Sequence, residues 1–181
     1  VASLSLPVSL ANSPASVNWP QSQAQWNRLG VGVYGGEVST HINATTSTAP
    51  QLFPAMTLRS SVIALRDISA GEGVGYGQAW RANKPSKIAT VGIGYADGYP
   101  RHCPSGTPVL VRGQRASLVG RVSMDMITID VTHINNISVG DTVELWGENI
   151  SISEVASCAG TIDYELMTRV SSRVPRIVRY A

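Results

Sequence analysis

The residues best suited to chemistry lie in Gly92-Ile93-Gly94-Tyr95-Ala96-Asp97-Gly98-Tyr99-Pro100-Arg101, where an apolar run breaks into a glycine-rich turn holding two tyrosines, an aspartate and an arginine. A tyrosine carries protons only when nearby cations or donors bring its phenol down from a pKa near about 10. The same residues also make a plain hairpin corner with aromatic plugs and a solvated Asp-Gly turn. A second cluster is Val119-Gly120-Arg121-Val122-Ser123-Met124-Asp125-Met126. Read as a strand, it puts Arg121 and Asp125 on one face as a structural ion pair, with Met124 as core filler. Arg28, followed by Leu29-Gly30, sits at a junction of the kind that often receives a phosphate or other ligand. Asn12-Ser13-Pro14 suits a helix cap, or a donor to phosphate.

Other chemistries are poorly served. His41, His102 and His133 have no metal-ligand spacing, and Cys103 and Cys158 form neither a metal pattern nor a disulfide framework. A pair of reduced thiols is the plainer expectation, and no metal is expected. There is no Walker loop, no H-E-x-x-H and no G-x-S-x-G. Fourteen Lys+Arg against twelve Asp+Glu leave a net charge of +2, too little for a nucleic-acid surface. No apolar run approaches the roughly 18 residues that span a bilayer.

The elements that must hold these residues read as two regions in 181 residues. Residues 1–48 are a mixed α/β stretch. It has a helix candidate over Trp19–Trp26, started by Pro20, and an apolar strand at Val31–Tyr34. Ser39–Gln51 is a polar connector, with a boundary near residue 52. Residues 49–181 turn to short β-branched strands separated by glycine turns. Candidates are Thr57–Arg66, Ile88–Ile93, Pro108–Val111, Ala116–Val122, Met126–Val131 and Gly140–Trp146, with a hairpin signal at Arg112-Gly113-Gln114. This spacing argues an antiparallel barrel or sandwich. Ile152–Ala156 and Ile162–Met167 read as helices, the second capped by Thr161, and Val174–Val178 as a last strand. The opening Val1-Ala2-Ser3 lacks a basic leader, which suggests a stretch taken from inside a longer polypeptide.

The Tyr95 segment, the Val119–Asp125 segment, Tyr164-Glu165-Leu166 and Ser172-Arg173-Val174-Pro175 together resemble alanine racemases. Upstream, Ala11-Asn12-Ser13 and Trp26-Asn27-Arg28-Leu29-Gly30-Val31-Gly32-Val33-Tyr34-Gly35 resemble the same family's last barrel strands. The resemblance implies a mainly β fold: a C-terminal antiparallel β domain preceded by the last strands and helix of a TIM-type α/β barrel that binds pyridoxal 5'-phosphate. It implies interconversion of L- and D-alanine by two bases on opposite faces of the substrate, in a cytoplasmic, head-to-tail homodimer serving peptidoglycan synthesis. Tyr95 corresponds to the base that acts in the partner subunit's site. Arg28 corresponds to the arginine facing the cofactor's ring nitrogen, and Ser13, Gly30 and Val31 to phosphate contacts. Met124 corresponds to the residue whose N–H meets the substrate carboxylate, while Arg121 and Asp125 fall one layer further out.

Two features depart from the family. The motif of its Schiff-base lysine is absent, and the only lysines, Lys84 and Lys87, lie in a polar turn. Ser172 replaces a tyrosine that touches phosphate in some members. The resemblance therefore implies that the N-terminal half of the same enzyme is a required partner, since residues 1–48 would otherwise leave apolar faces uncovered. A serine or broad-range racemase, or a non-catalytic β-barrel interaction module, are the competing expectations.

Overall fold

The computed structural model describes residues 6–38 and 51–178. The chain divides into two compact units, Val1–Met56 and Thr57–Ala181.

In the first unit, β1 (Ser9–Asn12) and β2 (Trp26–Arg28) pair in parallel, Ser9 opposite Trp26 and Asn12 opposite Arg28. Parallel neighbours need a crossover. It is supplied by α1 (Ser13–Asn18) and a 3₁₀ turn at Pro20–Ser22. Asn12 caps α1, its side-chain oxygen accepting from the Ala15 N–H at 3.0 Å, and Pro14 sits in the first turn, where its missing N–H costs nothing. The helix thus starts six residues before the expected one, and the Trp19–Trp26 candidate divides into the 3₁₀ turn and β2. Val31–Tyr34 is a 3₁₀ turn rather than a strand. Glycines at 30, 32 and 35 disfavour a strand, and Gly35, at φ 76°, ends the turn in the left-handed region. Leu6, Leu10, Trp26, Leu29, Val33 and Phe53 are exposed. The expected connector falls on residues 39–50, which, like His41, lie outside the described residues.

The second unit is built on a closed antiparallel barrel of six strands in the order β10-β3-β6-β9-β8-β7. The strands are β3 (Leu58–Ile68), β6 (Ser86–Val91), β7 (Pro108–Val111), β8 (Gln114–Leu118), β9 (Ile127–Asp130) and β10 (Thr142–Trp146). A short β4–β5 pair (Gly73–Val74 with Trp80–Arg81) sits between β3 and β6 in sequence. Period-two alternation sends Val109, Val111, Ile127, Ile129, Val143 and Leu145 inward. β7 and β8 join through Arg112 and Gly113, both at positive φ, as a two-residue hairpin with the strands' own twist requires. Closure leaves no unpaired edge, which is why strands this short are stable together.

Two helices follow the barrel: α2 (Ile152–Ala159), capped by Ser151, and α3 (Asp163–Arg169). The Arg115 guanidinium grips the Glu154 carboxylate with two bonds of 2.7 and 2.9 Å, tying α2 to β8 and holding that carboxyl below its ordinary range. Ser153 Oγ donates to Asp163 Oδ2 at 2.6 Å, tying α2 to α3. The cap of α3 is Ile162, not Thr161, whose hydroxyl donates instead to the Glu165 carboxylate. The expected last strand, Val174–Val178, does not form; Pro175 has no N–H to donate, and the segment is largely exposed. Cys103 is buried and Cys158 half-buried, both as free thiols.

Candidate active site

Tyr95 opens a 3₁₀ turn, Tyr95–Asp97, at the point where the chain leaves β6. The Asp97 carboxylate folds back to accept from the Gly94 N–H at 2.9 Å, and Gly98, at φ 105°, reverses the chain. Tyr99 then plunges into the core, 1% exposed, and its ring stacks on Trp146 with centroids 6.2 Å apart. The two tyrosines of the motif therefore differ sharply: Tyr99 is a buried plug and Tyr95 is 42% exposed.

The turn of Tyr95 lies against the turn of Met124. The Tyr95 N–H donates to the Ser123 carbonyl and the Ala96 N–H to the Met124 carbonyl, both at 3.0 Å. A β-carbon on Gly94 would stand 2.4 Å from each of those carbonyl oxygens, so the approach requires glycine. Ser123 closes its own turn: its hydroxyl donates to the Met126 carbonyl at 2.7 Å and accepts the Met126 N–H at 3.2 Å. Among the described residues the Met124 N–H has no acceptor, and its side chain is 54% exposed rather than core filler.

One guanidinium joins both turns. Arg173 Nη2 donates to Asp125 Oδ1 at 2.7 Å, and its Nε lies 3.5 Å from Asp97 Oδ1. The bond to Asp125, with the Asp97 charge behind it, raises the Arg173 pKa further above its ordinary value. The expected Arg121–Asp125 pair is therefore absent. The cause is Gly120, at φ 77°, which turns the chain out of the barrel after β8 so that Arg121 and Asp125 lie in a loop. Among the described residues Arg121 is exposed and without a side-chain partner. Sequence reading missed the role of Arg173 and Asp97 as partners, although both stand inside the quoted motifs. The signal available was two acids in two glycine-punctuated segments and one cation in the Ser172-Arg173-Val174-Pro175 segment.

In the first unit the remaining candidates gather where β1 passes into α1 and β2 into the 3₁₀ turn. Ser13 Oγ, 2% exposed, accepts the Gly30 N–H at 2.8 Å and the Gly32 N–H at 3.3 Å, so its own hydroxyl proton is left to donate. The Val31 N–H has no acceptor among the described residues, and a β-carbon on Gly30 would meet nothing within 4 Å. Arg28 Nη1 donates to the Ser9 carbonyl (3.0 Å) and hydroxyl (2.8 Å), and Nη2 to the Leu10 carbonyl (3.3 Å). That leaves Nε–H and one Nη2–H for another acceptor. This donor set fits an anionic group beside a planar acceptor nitrogen. Gly30–Gly35 also has the G-x-G-x-x-G spacing of a dinucleotide loop, but it forms a 3₁₀ turn rather than the strand-to-helix junction such a loop needs. Lys84 lies in the exposed turn before β6, and Lys87, on β6, faces Asp67 at 4.0 Å.

The second unit is thus a closed antiparallel β-barrel that carries the exposed Tyr95 on a turn beside the Met124 N–H. The chain belongs to the family described as alanine racemase, C-terminal domain, whose family model matches residues 55–178. It is 73% identical over 177 residues to an alanine racemase of Alteromonas mediterranea, a match covering 98% of this chain and 48% of that protein. The biosynthetic alanine racemase of Pseudomonas aeruginosa superposes with a TM-score of 0.87 at 48% identity, over 95% of this chain and 47% of that one. Alanine racemase from Bartonella henselae, solved with covalently bound pyridoxal phosphate, gives 0.83 at 31% identity, over 96% and 47%. The chain thus spans about half the length of the relatives it matches.

Proposed function

We propose that this chain is the C-terminal part of a cytoplasmic, pyridoxal 5'-phosphate-dependent alanine racemase, with Tyr95 as one of two bases that exchange the α-proton of alanine. The observation that carries the reading is Tyr95 itself: an exposed phenol, fixed by backbone bonds beside the unpaired Met124 N–H. Racemisation needs an acid and a base on opposite faces, since one group on one face returns the proton to where it came from. Tyr95 Oη holds or releases the proton on one face, in the partner subunit's site of a head-to-tail dimer. Met124 N–H receives the substrate carboxylate there.

In the first unit, Ser13 Oγ–H and the Val31 N–H, with Gly30 giving close backbone approach, hold the cofactor's phosphate. Bound there, pyridoxal 5'-phosphate supplies the electron sink that acidifies the α-proton. Arg28, with Nε–H and one Nη2–H free, would face the ring nitrogen and, being always protonated, could not transfer a proton to it. That restraint favours return of the proton over transamination. The opposing lysine belongs to the preceding half of the family's sequence, and the same half covers the exposed apolar side chains of the first unit.

The test is racemisation of L- and D-alanine by the full-length protein, alongside Tyr95→Phe. Loss of roughly 10²–10⁴ in turnover is expected from removing one acid–base group. Absence of a mass adduct of the cofactor after borohydride reduction, together with no racemisation by the parent, would refute the reading in favour of a non-catalytic module. Rates on serine, lysine and arginine measured beside alanine define the substrate range.

A further inference from the structure

We propose that Arg173 is a positioning residue that sets the Tyr95 turn and the Met124 turn in register and neutralises the two carboxylates beside the site. The proposal rests on the reading that Tyr95 and Met124 meet the substrate. Three features of the geometry carry it. The guanidinium reaches one carboxylate in each turn, Asp97 at 3.5 Å and Asp125 at 2.7 Å, from a segment 48 residues beyond Asp125. That segment is itself fastened to the Tyr95 turn, since the Ser171 N–H donates to the Asp97 carbonyl at 3.0 Å, and the Arg173 N–H donates to Ser171 Oγ at 3.3 Å. Asp97, whose side chain is 14% exposed, uses its other oxygen to hold the Gly94 N–H at the base of the Tyr95 turn.

The bridge is not what holds the fold. The backbone bonds between the turns remain without it, and half-exposed ion pairs add little stability. Its removal acts on the site in two ways. Asp125 is released, loosening the peptide next to the Met124 N–H. Asp97 and Asp125 are also left unneutralised beside a donor meant for a carboxylate, and like charges disfavour an anionic group there. The loss therefore falls on KM more than on kcat.

The test uses the full-length, cofactor-loaded protein with Arg173→Met, Arg173→Lys and the double variant Arg173→Met/Asp125→Asn. Arg173→Met is expected to raise KM for alanine roughly tenfold while kcat falls less than about threefold. Lys, which keeps the charge, is expected to recover most of the KM, and the double variant, which removes the Asp125 charge but neither the Asp97 charge nor the lost tether, is expected to recover part of it. Amide ¹⁵N–¹H signals of Met124 and Asp125 are expected to shift in Arg173→Met and to return towards the parent positions with Lys. Unmoved amides, or a KM unchanged in Arg173→Met or not relieved by Asp125→Asn, would overturn the proposal. Moved amides in a parent that racemises nothing would support the bridge and overturn the racemase reading instead.

Discussion

Replacing Gly94 by alanine tests whether the two turns are positioned by backbone contact. Gly94 has an extended backbone, φ −149° and ψ −162°, that alanine adopts freely, so any loss is steric. The new β-carbon would stand 2.4 Å from the Ser123 and Met124 oxygens, whereas ordinary contact begins at 3.4 Å. The turns must then separate by about 1 Å, the difference of those two distances. That stretches both 3.0 Å bonds, Tyr95 N–H to Ser123 and Ala96 N–H to Met124, beyond hydrogen-bonding range. Two bonds at about 1 kcal/mol each, with about 1–3 kcal/mol for overpacking, give a loss of about 3–5 kcal/mol. On the role proposed for Tyr95, a displacement of its phenol by about 1 Å costs roughly 10² in kcat/KM. Denaturant unfolding and racemase kinetics on the full-length protein read both quantities. Gly92→Ala is the control, because its β-carbon would meet side chains rather than backbone, Ile63 at 3.3 Å and Ser60 Oγ at 3.8 Å. A Gly94→Ala protein within about 1 kcal/mol of the parent, with kcat/KM inside twofold, would refute the reasoning.

Three further outcomes follow from the same geometry. Tyr99 Oη is buried against the Cys103 thiol, a weak hydrogen-bond partner, so Tyr99→Phe gives up little and should leave stability within about 1 kcal/mol of the parent in denaturant melts; a larger loss would count against it. Burial pushes the Cys103 thiol up to about 11, so the folded state keeps a proton that the unfolded chain releases near its ordinary value. Stability should accordingly hold below about pH 8.5 and fall through the window up to about pH 11, by at most about 1.4 kcal/mol per pH unit, with Cys103→Ala flattening the slope. Ser13→Ala strips the shared acceptor from the Gly30 and Gly32 N–H groups and the donor proposed for the phosphate, so release of pyridoxal 5'-phosphate from the full-length protein, followed by absorbance, should rise about tenfold.

The barrel strands were legible because their information is local: β-branched runs with period two, cut by glycine, give β7 at Pro108–Val111 and a hairpin at Arg112-Gly113-Gln114, of which Gln114 already belongs to β8. That the strands close on one another was not, since β10 meets β7 and β3 through pairings far apart in sequence. Helix against strand failed where glycine and proline crowd, at Val31–Tyr34 and Trp19–Trp26, because single-residue φ preferences there outweigh apolar pattern. The site divided in the same way. Nothing local distinguishes Tyr95 from Tyr99, and only the fold shows which ring is buried. Arg121 was paired with Asp125 by proximity in sequence, while the actual cation, Arg173, comes from 48 residues away.

This division has a physical reason in the work proposed for Tyr95. A base that acts in another subunit's site cannot rely on that site to set its position before the subunits meet, so its own domain must hold it. A long flexible side chain on a free loop would pay for ordering at every encounter. Here the holding is done by backbone: Gly94 allows the Tyr95 turn to lie flat on the Ser123 and Met124 carbonyls, Gly98 reverses the chain, and the buried Tyr99 anchors the far end against Trp146. Only the phenol is left outside. Glycine at 94 and 98 and an aromatic plug at 99 are therefore as much a part of the proposed base as Tyr95, and each is a residue type that sequence pattern alone assigns to an ordinary turn.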